Sequence, residues 1–205
     1  QTGSGKTAAF GISLLHRIDP RLFLQQRFAV QALVLCPTRE LADQVAKELR
    51  RLARFAANIK VVILCGGMPM GPQLGSLEHG AHIVVGTPGR VIKHLAKGSL
   101  NLAGLNTLVL DEADRMLDMG FYDSMVEVIA KTPPDRQTLL FSATYSDEIR
   151  RLSTAFQRDP VTVTVESLHT EAHIEQFFFE IDAAARMQAV AALLLWMSRW
   201  ANRGA

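Results

Sequence analysis

A chain of 205 residues, 48% hydrophobic and 20% charged, can bury a full core and has the make-up of a folded globular protein. Its net charge of +2 gives no bulk-charge case for a nucleic-acid partner, so any such contact must be built locally. The longest apolar run, Ala189–Met197, is too short to cross a bilayer.

The chain opens inside a motif. Gln1-Thr2-Gly3-Ser4-Gly5-Lys6-Thr7 carries the end of a phosphate-binding loop, whose full pattern needs one residue before Gln1 and a strand before that. The chain is therefore expected to be a piece of a longer protein, in which a targeting signal cannot be judged. Gly3 and Gly5 permit backbone angles that let successive N–H groups surround phosphate oxygens, aided by the amino end of the following helix. Lys6 can reach the β- and γ-phosphates, and the Thr7 hydroxyl can ligate magnesium. A Gly-Ser turn with an incidental lysine is the plainer alternative. The helix is expected to run through Phe10, Leu14, Leu15 and Ile18 and to break near Asp19-Pro20.

Ala29–Cys36 reads as a buried strand, and Pro37-Thr38-Arg39 turns into a helix with Leu41, Val45, Leu49 and Leu52 inward. Thr38 suits the N-cap. Arg39, at a strand's carboxyl end, could meet a phosphate or form a surface ion pair. Lys47, Arg50, Arg51, Arg54 and Lys60 cluster with only Glu48 opposing them; a solvated helix face and a phosphate contact explain them equally well. Lys60–Cys65 is the third strand in this reading, and Gly66-Gly67 behind it allow either a close backbone approach or a plain turn. Cys36 and Cys65 each close an apolar run, which favours buried thiols over a disulfide framework. His79 and His82 lack the companions of a zinc site.

Ala81–Val85 is the next strand and leads into Gly86-Thr87-Pro88-Gly89-Arg90, with Pro88 well placed to start a helix. The free N–H groups of that helix, with Thr87 and Arg90, make a second end able to contact phosphate. In Asn106–Asp114 the apolar run Leu108-Val109-Leu110 stops at two adjacent carboxylates, Asp111 and Glu112. Such a run reads as a strand buried on both faces, and its carboxyl end is where open α/β sheets bind ligands. Helical segments to about Lys131 end at Pro133-Pro134. Gln137–Phe141 is another strand, running into Ser142-Ala143-Thr144, whose hydroxyls could relay hydrogen bonds or merely cap a helix. Glu148–Phe156 is helical, and Pro160–Val165, alternating valine and threonine, is expected to close the sheet. Ile174–Ile181 is a further expected strand and Ala183–Met197 a helix. Strand–helix alternation throughout predicts an α/β fold, a mostly parallel sheet with helices on both faces.

TGSGKT (2–7), PTRELA (37–42), GG (66–67), TPGR (87–90), DEAD (111–114) and SAT (142–144) stand in the order seen in DEAD-box RNA helicases. The chain resembles that family over residues 1–165. The text between the motifs, such as LCPTRELADQVAKELRRLARF and HIVVGTPGR, resembles bacterial members directed to large-subunit ribosomal RNA. The resemblance implies a RecA-like P-loop NTPase domain over 1–166 lacking its first strand, a linker over 167–173, and an incomplete second RecA-like domain over 174–205. It implies ATP and magnesium as cofactors. Thr2, Gly3, Ser4, Gly5, Lys6 and Thr7 would hold the phosphates, and Thr7 and Asp111 the metal. Glu112 would activate the attacking water, in a catalytic set with Lys6, Asp111, Ser142 and Thr144. Asp114, Ser142 and Thr144 would couple nucleotide state to RNA. Pro37, Thr38, Arg39, Gly67, Thr87, Gly89 and Arg90 would line the RNA path. A monomeric, cytoplasmic enzyme is implied. The segment that reads adenine and the arginine finger of the second domain fall outside the chain, so the isolated 205 residues are expected to be weakly active or inactive. Trp196–Ala205 does not continue the family's pattern. Two rival readings stay open: a RecA-like DNA translocase, and a piece that binds nucleotide or RNA without helicase activity.

Overall fold

The computed structural model describes residues 5–19, 30–56, 58–164 and 178–201. The backbone divides into two compact units, Gln1–Val161 and Thr162–Ala205, each taken by itself below.

In the first unit five four-residue strands form one parallel sheet: β1 (Ala32–Leu35), β2 (Val61–Leu64), β3 (Ile83–Gly86), β4 (Thr107–Leu110) and β5 (Gln137–Leu140). Their order is β2-β3-β1-β4-β5. Every residue of β1, β3 and β4 is buried, which is why these strands read as unbroken apolar runs. Consecutive strand residues feed opposite cores. Leu33, Leu35, Val84, Leu108 and Leu110 pack with Val91, Met116, Met125 and Ile149. Ala32, Val34, Ile83, Val85 and Val109 pack with Phe10, Leu14, Val45 and Leu49. That alternation is what a sheet covered on both faces demands.

The covering helices are α1 (Lys6–Arg17), α2 (Arg39–Leu52), α3 (Met70–Glu78), α4 (Pro88–Ala96), α5 (Ala113–Asp118), α6 (Tyr122–Ile129) and α7 (Asp147–Phe156). Thr38 starts α2 by accepting the Leu41 N–H at 3.3 Å, and Ala42, Val45, Ala46 and Leu49 form its buried stripe. Three residues of the basic cluster on and after α2 make contacts within the fold. Arg50 donates to the Val61 carbonyl, Arg51 pairs with Glu48, and Lys60 donates to the His79 carbonyl. Val61 opens β2, so Arg50 and Lys60 work at the amino-terminal edge of the sheet.

Two expected strands are corrected over their described residues. Val161–Thr164, the described part of the closing strand Pro160–Val165 beyond its proline, form no strand, and Val161 and Val163 are 89% and 81% exposed. Alternating valine and threonine supply propensity, but a strand exists only against a neighbour that accepts its hydrogen bonds. Phe178–Ile181, the described half of Ile174–Ile181, are likewise outside any strand. In the second unit a short 3₁₀ turn, Ala183–Ala185, leads into α8 (Arg186–Ala201), whose Ala189, Ala192, Leu193 and Trp196 line an apolar groove with Phe179 and Ile181. Thr2, Gly3, Ser4, Pro20, the linker over 167–173 and the end of the tail lie outside the described residues. Among the described residues no helix is long and apolar enough to cross a membrane.

A parallel sheet gathers all its carboxyl ends on one edge. Pairing continues one residue past β1, β3, β4 and β5 there: Cys36 N–H donates to the Gly86 carbonyl, Thr87 to Leu64, Asp111 to Leu35 and Phe141 to Leu110. The motifs that follow the five strands, at 37–42, 66–67, 87–90, 111–114 and 142–144, therefore leave the sheet along the same edge.

Candidate functional site

At one end of this edge α1 begins. Gly5 sits at its N-cap with φ 72°, a left-handed conformation that favours glycine, and no side chain caps the helix. The first turn holds no acidic residue either, so its N–H groups and dipole are left for an anion. Lys6 and Thr7 are half-buried there. Phe10 holds the helix against the end of β5, its ring 5.3 Å from that of Phe141.

Asp111 follows β4, is 2% exposed, and has an Oδ1 with no hydrogen-bond partner. Burial pushes its carboxyl above the ordinary aspartate range, the Lys6 ammonium pulls the other way, and the Glu112 charge adds to the rise. The charge of Lys6 thus acts on Asp111, which links the lysine of the first motif to the acid of the fifth. The neighbouring Cys36 and Cys65 are buried free thiols, and burial first, then Asp111, holds the Cys36 thiol well above its usual range. A divalent cation fits this donor set. A hard ion takes oxygen ligands, and the buried Oδ1 of Asp111 is a carboxylate oxygen that nothing among the described residues satisfies.

The raised folded pKa of Asp111 fixes the sign of a test. The folded state holds this proton more tightly than the unfolded chain, so stability falls as pH rises from the ordinary aspartate value through the raised one. At neutral pH the buried charge is a cost. Asp111→Asn is expected to raise Tm at pH 7 by about 2–4 °C without nucleotide or metal, the shift of roughly 1 kcal/mol in a domain of this size. The gain should shrink as the pH is lowered into the carboxylate range. Thermal melts at pH 7 and pH 5 check this; an unchanged or lower Tm at pH 7 means that the Lys6 attraction outweighs burial.

Glu112 is held in the left-handed region, φ 52° and ψ 54°, a cost of order 1–3 kcal/mol for a residue with a side chain. The next N–H, of Ala113, donates to the Phe141 carbonyl at 2.9 Å and pins this turn to the end of β5. The Glu112 carboxylate faces Arg115 at 3.3 Å. Asp114 reaches across to the third loop: its Oδ2 accepts the N–H groups of Ala143 and Thr144, both at 3.2 Å, and lies 3.4 Å from the Thr144 hydroxyl. Ser142 Oγ also accepts the Thr144 N–H, at 3.3 Å. The Ser142–Thr144 segment does not cap α7; Ser146 does, accepting the Ile149 N–H.

Along the edge away from α1 lie the remaining candidates. Thr38 is occupied as a cap, while Arg39 makes a 3.8 Å exposed pair with Asp43. Thr87 precedes Pro88 at the first position of α4 and makes no side-chain cap, and that first turn carries no acid. Arg90 Nη2 donates to the Met68 carbonyl at 2.9 Å and Nη1 is buried without a partner. A Cβ placed on Gly66, Gly67 or Gly89 would meet no atom within 4 Å, so the backbone there is open to an approaching chain. Arg115, Gln73 and His94, which touch these elements, carry no pattern in the sequence that singles them out.

The DEAD/DEAH box helicase family model matches residues 1–152. The chain belongs to the DEAD/DEAH box helicase family. It is 55% identical over 194 residues to the ATP-dependent RNA helicase DbpA of Escherichia coli (strain K12), covering 95% of this chain and 41% of that protein. It is 43% identical to the ATP-dependent RNA helicase CshA of Listeria monocytogenes, covering 95% of this chain and 36% of that protein. Among solved structures, the DEAD box protein of Methanococcus jannaschii superposes with a TM-score of 0.73 at 38% identity, over 95% of this chain and 50% of that one. The yeast DEAD-box splicing factor Prp28 gives a TM-score of 0.73 at 35% identity, over 82% of this chain and 41% of its own. As a DEAD/DEAH box helicase domain the chain has the RecA-like parallel sheet that its sequence predicts, and it spans less than half the length of these curated relatives.

Proposed function

We propose that this chain is the first motor unit of an ATP-dependent RNA helicase, with residues 1–166 binding ATP, 167–173 forming a linker and 174–205 beginning a second RecA-like unit. The observation that supports this best is the Lys6 charge acting on the buried Asp111 at the carboxyl edge, next to Asp114, which binds the Ser142–Thr144 loop. Phosphoryl transfer needs charge neutralisation and an oriented nucleophile more than covalent chemistry. Thr2, Gly3, Ser4 and Gly5 would wrap the phosphates with backbone N–H groups, Lys6 would neutralise the β- and γ-phosphates, and Glu112 would orient the attacking water and take its proton. Thr7 and Asp111 would hold magnesium, which when bound neutralises charge building on the phosphate oxygens. Because Asp114 grips the Ser142–Thr144 loop, a movement of the acid turn on nucleotide binding would be passed directly to that loop.

RNA would run along the other end of the edge, over Pro37, Thr38, Arg39, Gly67, Thr87, Gly89 and Arg90. Contacts from helix amino ends, open glycine backbone and arginine address sugar and phosphate, which positions a strand without reading its sequence. Recognition of 2′-hydroxyls would then favour RNA over DNA. Large-subunit ribosomal RNA is the target we assign, from the resemblance of the text between the motifs, with the protein acting as a cytoplasmic monomer in ribosome assembly.

The test is ATP hydrolysis by the full-length protein with no nucleic acid, with RNA and with DNA, alongside unwinding of a short RNA duplex. Stimulation by RNA and not by DNA, with ATP-dependent strand release, is expected. Equal stimulation by DNA would make the protein a DNA translocase; no turnover at all would leave only a binding function.

A further inference from the structure

The two loops assigned to the RNA path are tied together by a buried polar bridge. Gln73 lies on α3, behind the Gly66-Gly67 turn, and His94 lies in the last turn of α4, behind Thr87–Arg90. Both are buried, His94 completely. Gln73 Nε2 donates to the carbonyl of Cys65, the residue just before the two glycines, at 3.0 Å. Gln73 Oε1 lies 3.1 Å from His94 Nε2, and His94 Nδ1 lies 2.9 Å from Ser99 Oγ.

Proton counting gives this chain a direction. The Gln73 amide group spends a hydrogen on Cys65, so its oxygen must accept, and His94 Nε2 must carry the proton. His94 Nδ1 then accepts from the Ser99 hydroxyl, for which the His94 carbonyl at 3.1 Å competes. Burial, with Arg90 and Lys97 nearby, lowers the imidazole pKa and keeps the ring neutral. A second tie runs parallel on the surface, where Arg90 donates to the Met68 carbonyl beyond the glycines.

We infer that Gln73 and His94 are positioning residues for RNA, a bridge that sets the Gly66-Gly67 turn and the amino end of α4 in one register so that both meet the same strand. The inference rests on the RNA path proposed above. Neither side chain is placed to touch RNA. Breaking the bridge leaves a buried acceptor or donor unpaired, and the Arg90–Met68 tie on the surface is then left to hold the two loops in register.

The test uses the full-length protein with polyuridylate as RNA and a fluorescent adenine nucleotide. In His94→Leu, the RNA concentration giving half-maximal ATPase stimulation should rise about tenfold while nucleotide affinity without RNA stays within about twofold. Gln73→Met, which breaks the bridge from the other side, should show the same split, and decides the matter if His94→Leu does not fold. The double variant should lose no more than either single one, because a single bridge is being cut twice. His94→Gln, which restores a donor facing Gln73, should recover most of the RNA affinity. An unchanged RNA dependence in His94→Leu or Gln73→Met overturns the inference, as does equal loss of RNA and nucleotide affinity, the mark of a merely structural role. Wild-type protein that RNA does not stimulate overturns the helicase reading itself, and this inference with it.

Discussion

Glu112→Gln in the full-length protein is expected to lower RNA-stimulated ATP turnover by roughly 10²–10⁴-fold, the usual contribution of a positioned general base. ATP affinity should change little, because the substitution preserves shape and removes only a charge and a proton acceptor. The local structure makes this a clean experiment. Glu112 already occupies a left-handed conformation, and glutamine meets the same steric cost there, so the strain of the turn is not altered. The contact with Arg115 is a half-exposed ion pair of a kind that contributes at most about 1 kcal/mol, and glutamine can still accept from the guanidinium. The anchoring bond from Ala113 N–H to the Phe141 carbonyl does not involve the side chain. A fall in turnover with unchanged ATP affinity, read by steady-state hydrolysis and nucleotide titration, therefore reports on the water and its proton. Unchanged turnover would remove Glu112 from the role of base and shift attention to Asp111 or Asp114.

How much of this site could be read from the sequence depends on how local each feature is. The strands β1, β3 and β4 are visible because a strand buried on both faces must be apolar at every position, and Thr38 is visible because an N-cap acts over three residues. Asp111 and Lys6 stand 105 positions apart (111 − 6), and nothing in periodicity brings them together. Their convergence follows from the parallel sheet, which collects its carboxyl ends, and from α1 packing on the same face of the sheet as α2. The grip of Asp114 on Ala143 and Thr144 likewise joins loops 29 and 30 residues apart through neighbouring strands. Gln73 and His94 are ordinary polar letters on two helices; only their burial against one another makes them a bridge. The described parts of the expected strands at Pro160–Val165 and Ile174–Ile181, residues 160–164 and 178–181, show the converse. Valine, threonine and phenylalanine carry β propensity wherever they occur, while pairing requires an edge in reach.

Lys6→Ala should weaken ATP binding by at least about 30-fold, the lower end of what truncating one partner of a buried charge pair costs. The reason lies in what Lys6 faces. Its ammonium is the cationic side chain that pulls Asp111 back toward ionisation, against both burial and Glu112. With alanine in its place, an arriving triphosphate would meet two carboxylates with only the amino end of α1 to oppose them, and a helix terminus supplies about half a charge. Calorimetric titration with ATP and magnesium should show the loss directly. The same substitution carries a second signature without any ligand. Lys6→Ala removes an attraction that offsets the cost of the buried Asp111, so it should lower Tm at pH 7, whereas Asp111→Asn should raise it. In the double variant no charge is left to compensate, and the destabilisation by Lys6→Ala should largely vanish, a coupling of the kind expected only for residues in contact or sharing one field. Additive effects would mean that Lys6 and Asp111 do not sense one another, and a phosphate pocket built from the two would be untenable.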